Sequence, residues 1–177
     1  IDTRETKLLY EHKNVVEADE AYIDSWLIDK NNILWLAFTS KGLVGLDATT
    51  FEKKYLYNRE NAQIDHNIYG LMQDEDGDLW FSSHNGIYNM DIETHFIRNF
   101  NVVDGFSARE FNANAFEKIN NQLFAYGSIN GVSLFNPITL KNKHYDDQIS
   151  VHATNVDVLS REIKLPFILN TNEKIKL

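Results

Sequence analysis

The chain has 177 residues, 43% apolar and 24% charged, the balance of a folded chain rather than a disordered one. A net charge of −9 leaves no basic stripe to neutralise phosphates, which argues against nucleic acid and anionic membrane surfaces as partners. With no cysteine there is neither a disulfide framework nor a thiolate metal site, and no apolar run approaches the length of a membrane-spanning helix.

Residues 1–10 (IDTRETKLLY) read as a turn followed by an apolar strand, the outer strand of a sheet that begins earlier. The chain opens on Ile in mid-pattern, so it is expected to be a fragment of a longer protein. A polar connector, residues 11–21, leads to a unit over residues 22–56 that recurs over residues 67–101. Ile23 and Ile68, Asp29 and Asp74, and Trp35 and Trp80 stand 45 residues apart, whereas Gly42 and Gly86, Asp47 and Asp91, and Thr50 and Thr94 stand 44 apart. A period of this length with four strand-like pieces per unit predicts blades of a β-propeller.

Each piece has a local cause. Asp74-Glu75-Asp76-Gly77-Asp78 is a turn, because Asp side chains bond nearby backbone N–H groups and Gly77 tolerates positive φ. Leu79-Trp80-Phe81 is apolar without alternation, as a strand buried on both faces requires. His84-Asn85-Gly86 reads as a hairpin turn. Trp35, Trp80 and Phe124 recur at one blade position and are expected to pack between neighbouring blades.

Residues 104–140 form a third, weaker unit. It carries Asp104-Gly105-Phe106, Glu110-Phe111-Asn112, Leu123 to Gly127, and Gly131 to Pro137, with Asn120-Asn121 in place of the Asp-rich turn. Lys141 to Gln148 reads as a linker. In residues 149–177, Ile149, Val151, Ala153, Val156 and Val158 alternate as strand residues do.

The pattern D-x-D/N-G-x-L-W, then x-G-[LI], then D-x-x-T-x-x-F, resembles the two-component-regulator propeller repeat. The third unit is similar to the closing blade of such a propeller. The resemblance implies an all-β fold: a partial β-propeller of four-stranded blades, followed by the first strands of an Ig-like β-sandwich at 149–177. It implies the periplasmic sensor region of a hybrid sensor histidine kinase or sensor diguanylate cyclase, with the signalling enzyme elsewhere in the protein. A propeller closes with about four to eight blades. The open blade faces are therefore expected to be covered by the remaining blades or by a second copy of the chain in a homodimer.

Catalytic and metal signatures are weak. Asp74, Asp76 and Asp78 resemble a calcium loop, but Leu79 and Asn85 stand where an EF-hand needs Gly and Glu, so a structural turn is the better reading. None of His12, His66, His84, His95, His144 and His152 forms a metal-binding pair. There is no G-x-S-x-G elbow, and Gly127 to Gly131 lacks the ending of a phosphate loop. Asp104 and Glu110 are conceivable as a glycosidase carboxylate pair. No cofactor, metal or catalytic residue is expected.

Propeller ligands sit at one mouth of the central channel, near the starts of the inner strands. That geometry selects Tyr22, Asp24 and Trp26 from the first unit, and His66, Asn67 and Tyr69 from the second. From the third it selects Arg109, Glu110, Asn112 and Asn114. Aromatic faces, amides and one guanidinium suit sugar rings and uronate carboxylates, so an oligosaccharide ligand is expected. Two other classes stay open: a polysaccharide hydrolase or lyase, and a scaffold that binds a protein partner.

Overall fold

The computed structural model describes residues 22–142 and two short strands, 156–158 and 161–163. Contacts divide the chain into two units, Ile1–Lys141 and Asn142–Leu177. The strand expected at 1–10 lies outside the described residues, as does most of the segment expected to begin an Ig-like sandwich.

In the first unit, β1 (Ile23–Ile28), β2 (Ile33–Phe38), β3 (Gly42–Asp47) and β4 (Lys53–Tyr57) form an antiparallel sheet in sequential order. A single helical turn, α1 (Arg59–Ala62), leads to a second such sheet: β5 (Tyr69–Gln73), β6 (Leu79–Ser83), β7 (Gly86–Met90) and β8 (Ile97–Phe100). The third sheet has three strands, β9 (Phe111–Asn120), β10 (Leu123–Ser128) and β11 (Gly131–Phe135). Among the described residues no fourth strand follows, because the chain turns into α2 (Pro137–Lys141) directly after β11. Pro137, with its fixed φ and no N–H to satisfy, suits the first position of a helix. The Asn136 side chain accepts the Thr139 N–H at 2.9 Å and caps it. In the second unit, β12 (Val156–Val158) pairs with β13 (Arg161–Ile163) as an antiparallel hairpin.

Successive strand residues face opposite sides of a sheet, which explains the unbroken Leu79-Trp80-Phe81 run. Leu79 and Phe81 pack with Trp35, Ala37 and Leu43 of the first sheet, whereas Trp80 packs with Phe111, Phe124 and Tyr126 of the third. The second sheet is thus covered on both faces, and Trp35 and Trp80 are fully buried at successive blade interfaces.

The repeated acidic turns exist to serve these tryptophans. Asp29 Oδ1 accepts the N–H groups of Asn31 (2.8 Å) and Ile33 (2.9 Å), and its Oδ2 accepts the Trp35 indole N–H at 2.7 Å. Asp74 repeats this with Asp76, Asp78 and the Trp80 indole. One buried carboxylate therefore shapes the turn and satisfies an indole donor that would otherwise be orphaned. The D-x-x-T element closes the third turn of each blade. Asp91 Oδ1 accepts the Thr94 N–H (2.7 Å) and hydroxyl (2.8 Å), and Asp47 Oδ1 accepts the Thr50 and Thr49 N–H groups. These bonds hold both carboxyls below the usual Asp range, so they favour folding above about pH 4 and less as pH falls through the lowered values.

Asp29→Ala is expected to cost about 3 kcal/mol, because it strands the Trp35 donor and two turn amides, and Trp35→Phe about 1 kcal/mol. The double variant should lose less than the two together, which urea denaturation of the four proteins would measure.

Candidate ligand site

The inner strands of all three blades are bulged near their first residues. In β1, Ile23 pairs with Phe38 but Ser25 with Ala37, which leaves Asp24 extra. In β5, Tyr69 pairs with Ser82 and Met72 with Trp80. In β9, Phe111 pairs with Ser128 and Phe116 with Tyr126, so the residues between them bow out of the ladder. Bulges of this kind release backbone groups and redirect side chains. Gly70 (φ +63°) and Asn114 (φ +57°) take left-handed conformations within them. At Gly70 a Cβ would lie 2.8 Å from Tyr126 and 2.9 Å from Phe116, so only glycine fits.

Side chains of the flanking blades satisfy what the second bulge releases. Asp24 Oδ2 accepts the Gly70 N–H at 3.0 Å, Ser25 Oγ accepts the Leu71 N–H at 2.9 Å, and the buried Tyr126 hydroxyl donates to the Gly70 carbonyl at 2.7 Å. Tyr69 begins β5 and is itself buried, with its hydroxyl 3.1 Å from His84 Nε2 in the β6–β7 turn. Burial, and then the negative charges of Asp65, Asp24 and Glu110, push its phenol pKa up, so it stays neutral and able to donate.

The negative charges of Asp24 and Glu110, from the first and third blades, thus both act on Tyr69 of the second, and His84 bonds the same phenol. His84 was read in the sequence only as a turn residue. Arg109, Glu110, Asn112 and Asn114 are exposed, and their side chains form no hydrogen bond or ion pair among the described residues. Asn67 is committed to structure: its Oδ1 accepts the Ser40 N–H at 3.0 Å. His66 lies 3.4 Å from Glu60. Tyr22 is exposed, and its backbone bonds Thr39. Trp26 is 66% exposed but lies opposite Leu36, on the sheet face turned away from the second blade and from Asp24's contact with Gly70. Asp104 serves a 3-10 turn, where its carboxylate accepts the Asn101 N–H at 2.7 Å.

The acidic turn of the second blade holds a further arrangement. Carboxylate oxygens of Asp74, Asp76 and Asp78 lie within 4.8 Å of one another. The Lys141 ammonium sits among them, at 3.0, 2.7 and 2.7 Å respectively. The Arg98 guanidinium donates to the Lys141 carbonyl and fastens the same residue to β8. Burial disfavours the Lys141 charge, but hydrogen bonds to Asp76, Asp78 and Asp74 outweigh it and hold the ammonium pKa above the ordinary lysine range. Sequence reading placed Lys141 in a linker, because nothing local marks a lysine that closes on residues more than sixty positions earlier.

Residues 63–85 match the two-component regulator propeller family. The chain is 26% identical over 146 residues to Histidine kinase P4 of Formosa agariphila, an alignment that covers 77% of this chain and 11% of that protein. Among solved structures it resembles the extracellular domain of the hybrid two component system BT3049 from B. thetaiotaomicron. The TM-score is 0.59 and the identity 25%, over 86% of this chain and 19% of that one. The extracellular domain of the hybrid two component system BT4673 shares the fold, with a TM-score of 0.57 and 14% identity over 76% of this chain and 19% of that one. The chain therefore spans a small part of each relative.

Lys141→Met should lower stability by about 3 kcal/mol at neutral pH by leaving the carboxylates unpaired. Because folding raises the lysine pKa, the gap from the parent protein should hold up to about pH 10.4 and narrow above it. Denaturant titrations from pH 7 upward would measure this.

Proposed function

The chain carries the two-component regulator propeller repeat, and on that premise we propose that it is part of the extracytoplasmic, periplasmic sensor propeller of a membrane-bound signalling protein. Its task is non-covalent recognition of an oligosaccharide. The output enzyme, a histidine kinase or diguanylate cyclase, lies elsewhere in the protein. The remaining blades of the same protein and a second copy in a homodimer are its structural partners.

The observation that supports this reading is at the bulged inner strands: Asp24 of the first blade bonds Gly70 beside Tyr69 of the second, and Glu110 of the third acts on the same phenol. Three blades thus act on one phenol, so a ligand there is sensitive to how the blades are placed. A neutral phenol that donates and a carboxylate that accepts suit the hydroxyls of a sugar, and the exposed guanidinium of Arg109 suits a uronate carboxylate. Binding rather than hydrolysis is supported by Asp104, half of the conceivable carboxylate pair with Glu110, whose carboxylate accepts the Asn101 N–H in a 3-10 turn instead of standing ready as an acid or base.

Calorimetric titration of the intact protein against neutral and acidic oligosaccharides should show saturable binding with no release of cleavage products. Arg109→Ala and Glu110→Ala should each weaken it about tenfold, the loss of one charged hydrogen bond, without lowering the melting temperature. Turnover of the glycan would replace this reading with the hydrolase or lyase, and silence across the panel would favour a protein partner.

A further inference from the structure

Beside the inner-strand ends, the loop from α1 to β5 and the β6–β7 turn border an open hollow of about 420 Å³ lined by Arg59, Gln63, Ile64, Asp65 and Asn85. This volume is in the range of small-ligand sites. The side-chain heads of Arg59, Gln63 and Asn85 form no hydrogen bond or ion pair among the described residues. Asp65 uses one carboxylate oxygen to accept the Asn67 N–H at 3.2 Å. Behind this lining lies the Tyr88 hydroxyl, buried and without a hydrogen-bond partner. Ser83, Asn85 and the backbone of Asp65 approach it without completing a well-formed hydrogen bond. Buried hydroxyls almost always find a partner, so this one, next to the lining residues Asn85 and Asp65, is open to a better one.

The lining has a definite chemistry. Arg59 only donates, Asp65 only accepts, and the two amides and the phenol do both. A bare anion would meet Arg59 but be repelled by Asp65, and a cation would meet the reverse. Neighbouring hydroxyls of a sugar, each both donor and acceptor, satisfy the whole set at once. The cavity also adjoins the mouth: Asp65 acts electrostatically on both Tyr69 and Tyr88, and His84 and Asn85 are consecutive residues of one turn, the first on Tyr69 and the second on the cavity.

We propose that this cavity is a second sugar subsite, holding one neutral, hydroxyl-rich unit of an oligosaccharide that also reaches Tyr69 and Glu110. It rests on the carbohydrate reading above and adds to it the position, and the uncharged character, of a further unit. Arg59 and Asp65 grip adjacent hydroxyls, Gln63 and Asn85 select their positions, and a small shift of Asn85 opens Tyr88 to the ligand.

The test uses the intact protein and, as probe, the tightest binder among neutral and acidic oligosaccharides of increasing length. Arg59→Ala combined with Asn85→Ala should weaken binding of the longer probe at least tenfold, with binding of its shortest recognised fragment unchanged. Tyr88→Phe should weaken the longer probe several-fold while the melting temperature stays level or rises, since an unsatisfied hydroxyl is removed. Unchanged affinity of these variants for the longer probe, in a protein whose Glu110→Ala variant loses it, would overturn the subsite and leave the mouth standing. Failure of the parent protein to bind any oligosaccharide would overturn both.

Discussion

The bond from a turn carboxylate to a buried indole is the constraint on which the first two blades depend. Asp29 with Trp35, and Asp74 with Trp80, join the first hairpin of each blade to the core between blades. The ring supplies buried area, the carboxylate satisfies the donor that comes with it, and the same carboxylate bends the chain so that the ring can arrive. The third blade obeys the rule by dropping both halves. Phe124 has no N–H to satisfy, and the turn is made by Asn120, whose side chain accepts the Gln122 N–H at 2.8 Å. Carboxylate and indole come and go together because either alone would leave a buried polar group unpaired.

This coupling is why so much of the fold was legible. Paired Asp and Trp and the Asp-x-x-Thr turns are local signals, repeated at an interval of about 45 residues. Each is answered in the structure by hydrogen bonds within a few residues. That no fourth strand follows β11 among the described residues was less visible. Val132 and Leu134 alternate as strand residues do, and only Asn136-Pro137 hints that the chain turns aside.

The site was legible to a lesser degree, for a physical reason. Its geometry rests on bulges, and a bulge is a relation between two strands rather than a property of one. Each extra residue also reverses the parity of the side chains beyond it. Asp24 bonds Gly70 of the second blade, yet Trp26, two residues on and therefore expected to share its direction, faces the other way. Counting alternation through Asp24 could not have shown this. The contacts of Lys141 and His84 were not legible for the complementary reason that their partners are remote in sequence.

The peptide unit joining Gly70 to Leu71 has a role that no side chain shares. Its carbonyl accepts from Tyr126 of the third blade and its N–H donates to Ser25 of the first. A peptide is planar and rigid, so these opposed groups turn as one body. Twisting the plane to follow one neighbour misaligns the bond to the other, and polarising one end strengthens the other. Two blades that do not touch through this linkage are geared to each other by a single amide. Tilting that plane to suit one flank of the middle blade therefore alters the hydrogen bond at the opposite flank.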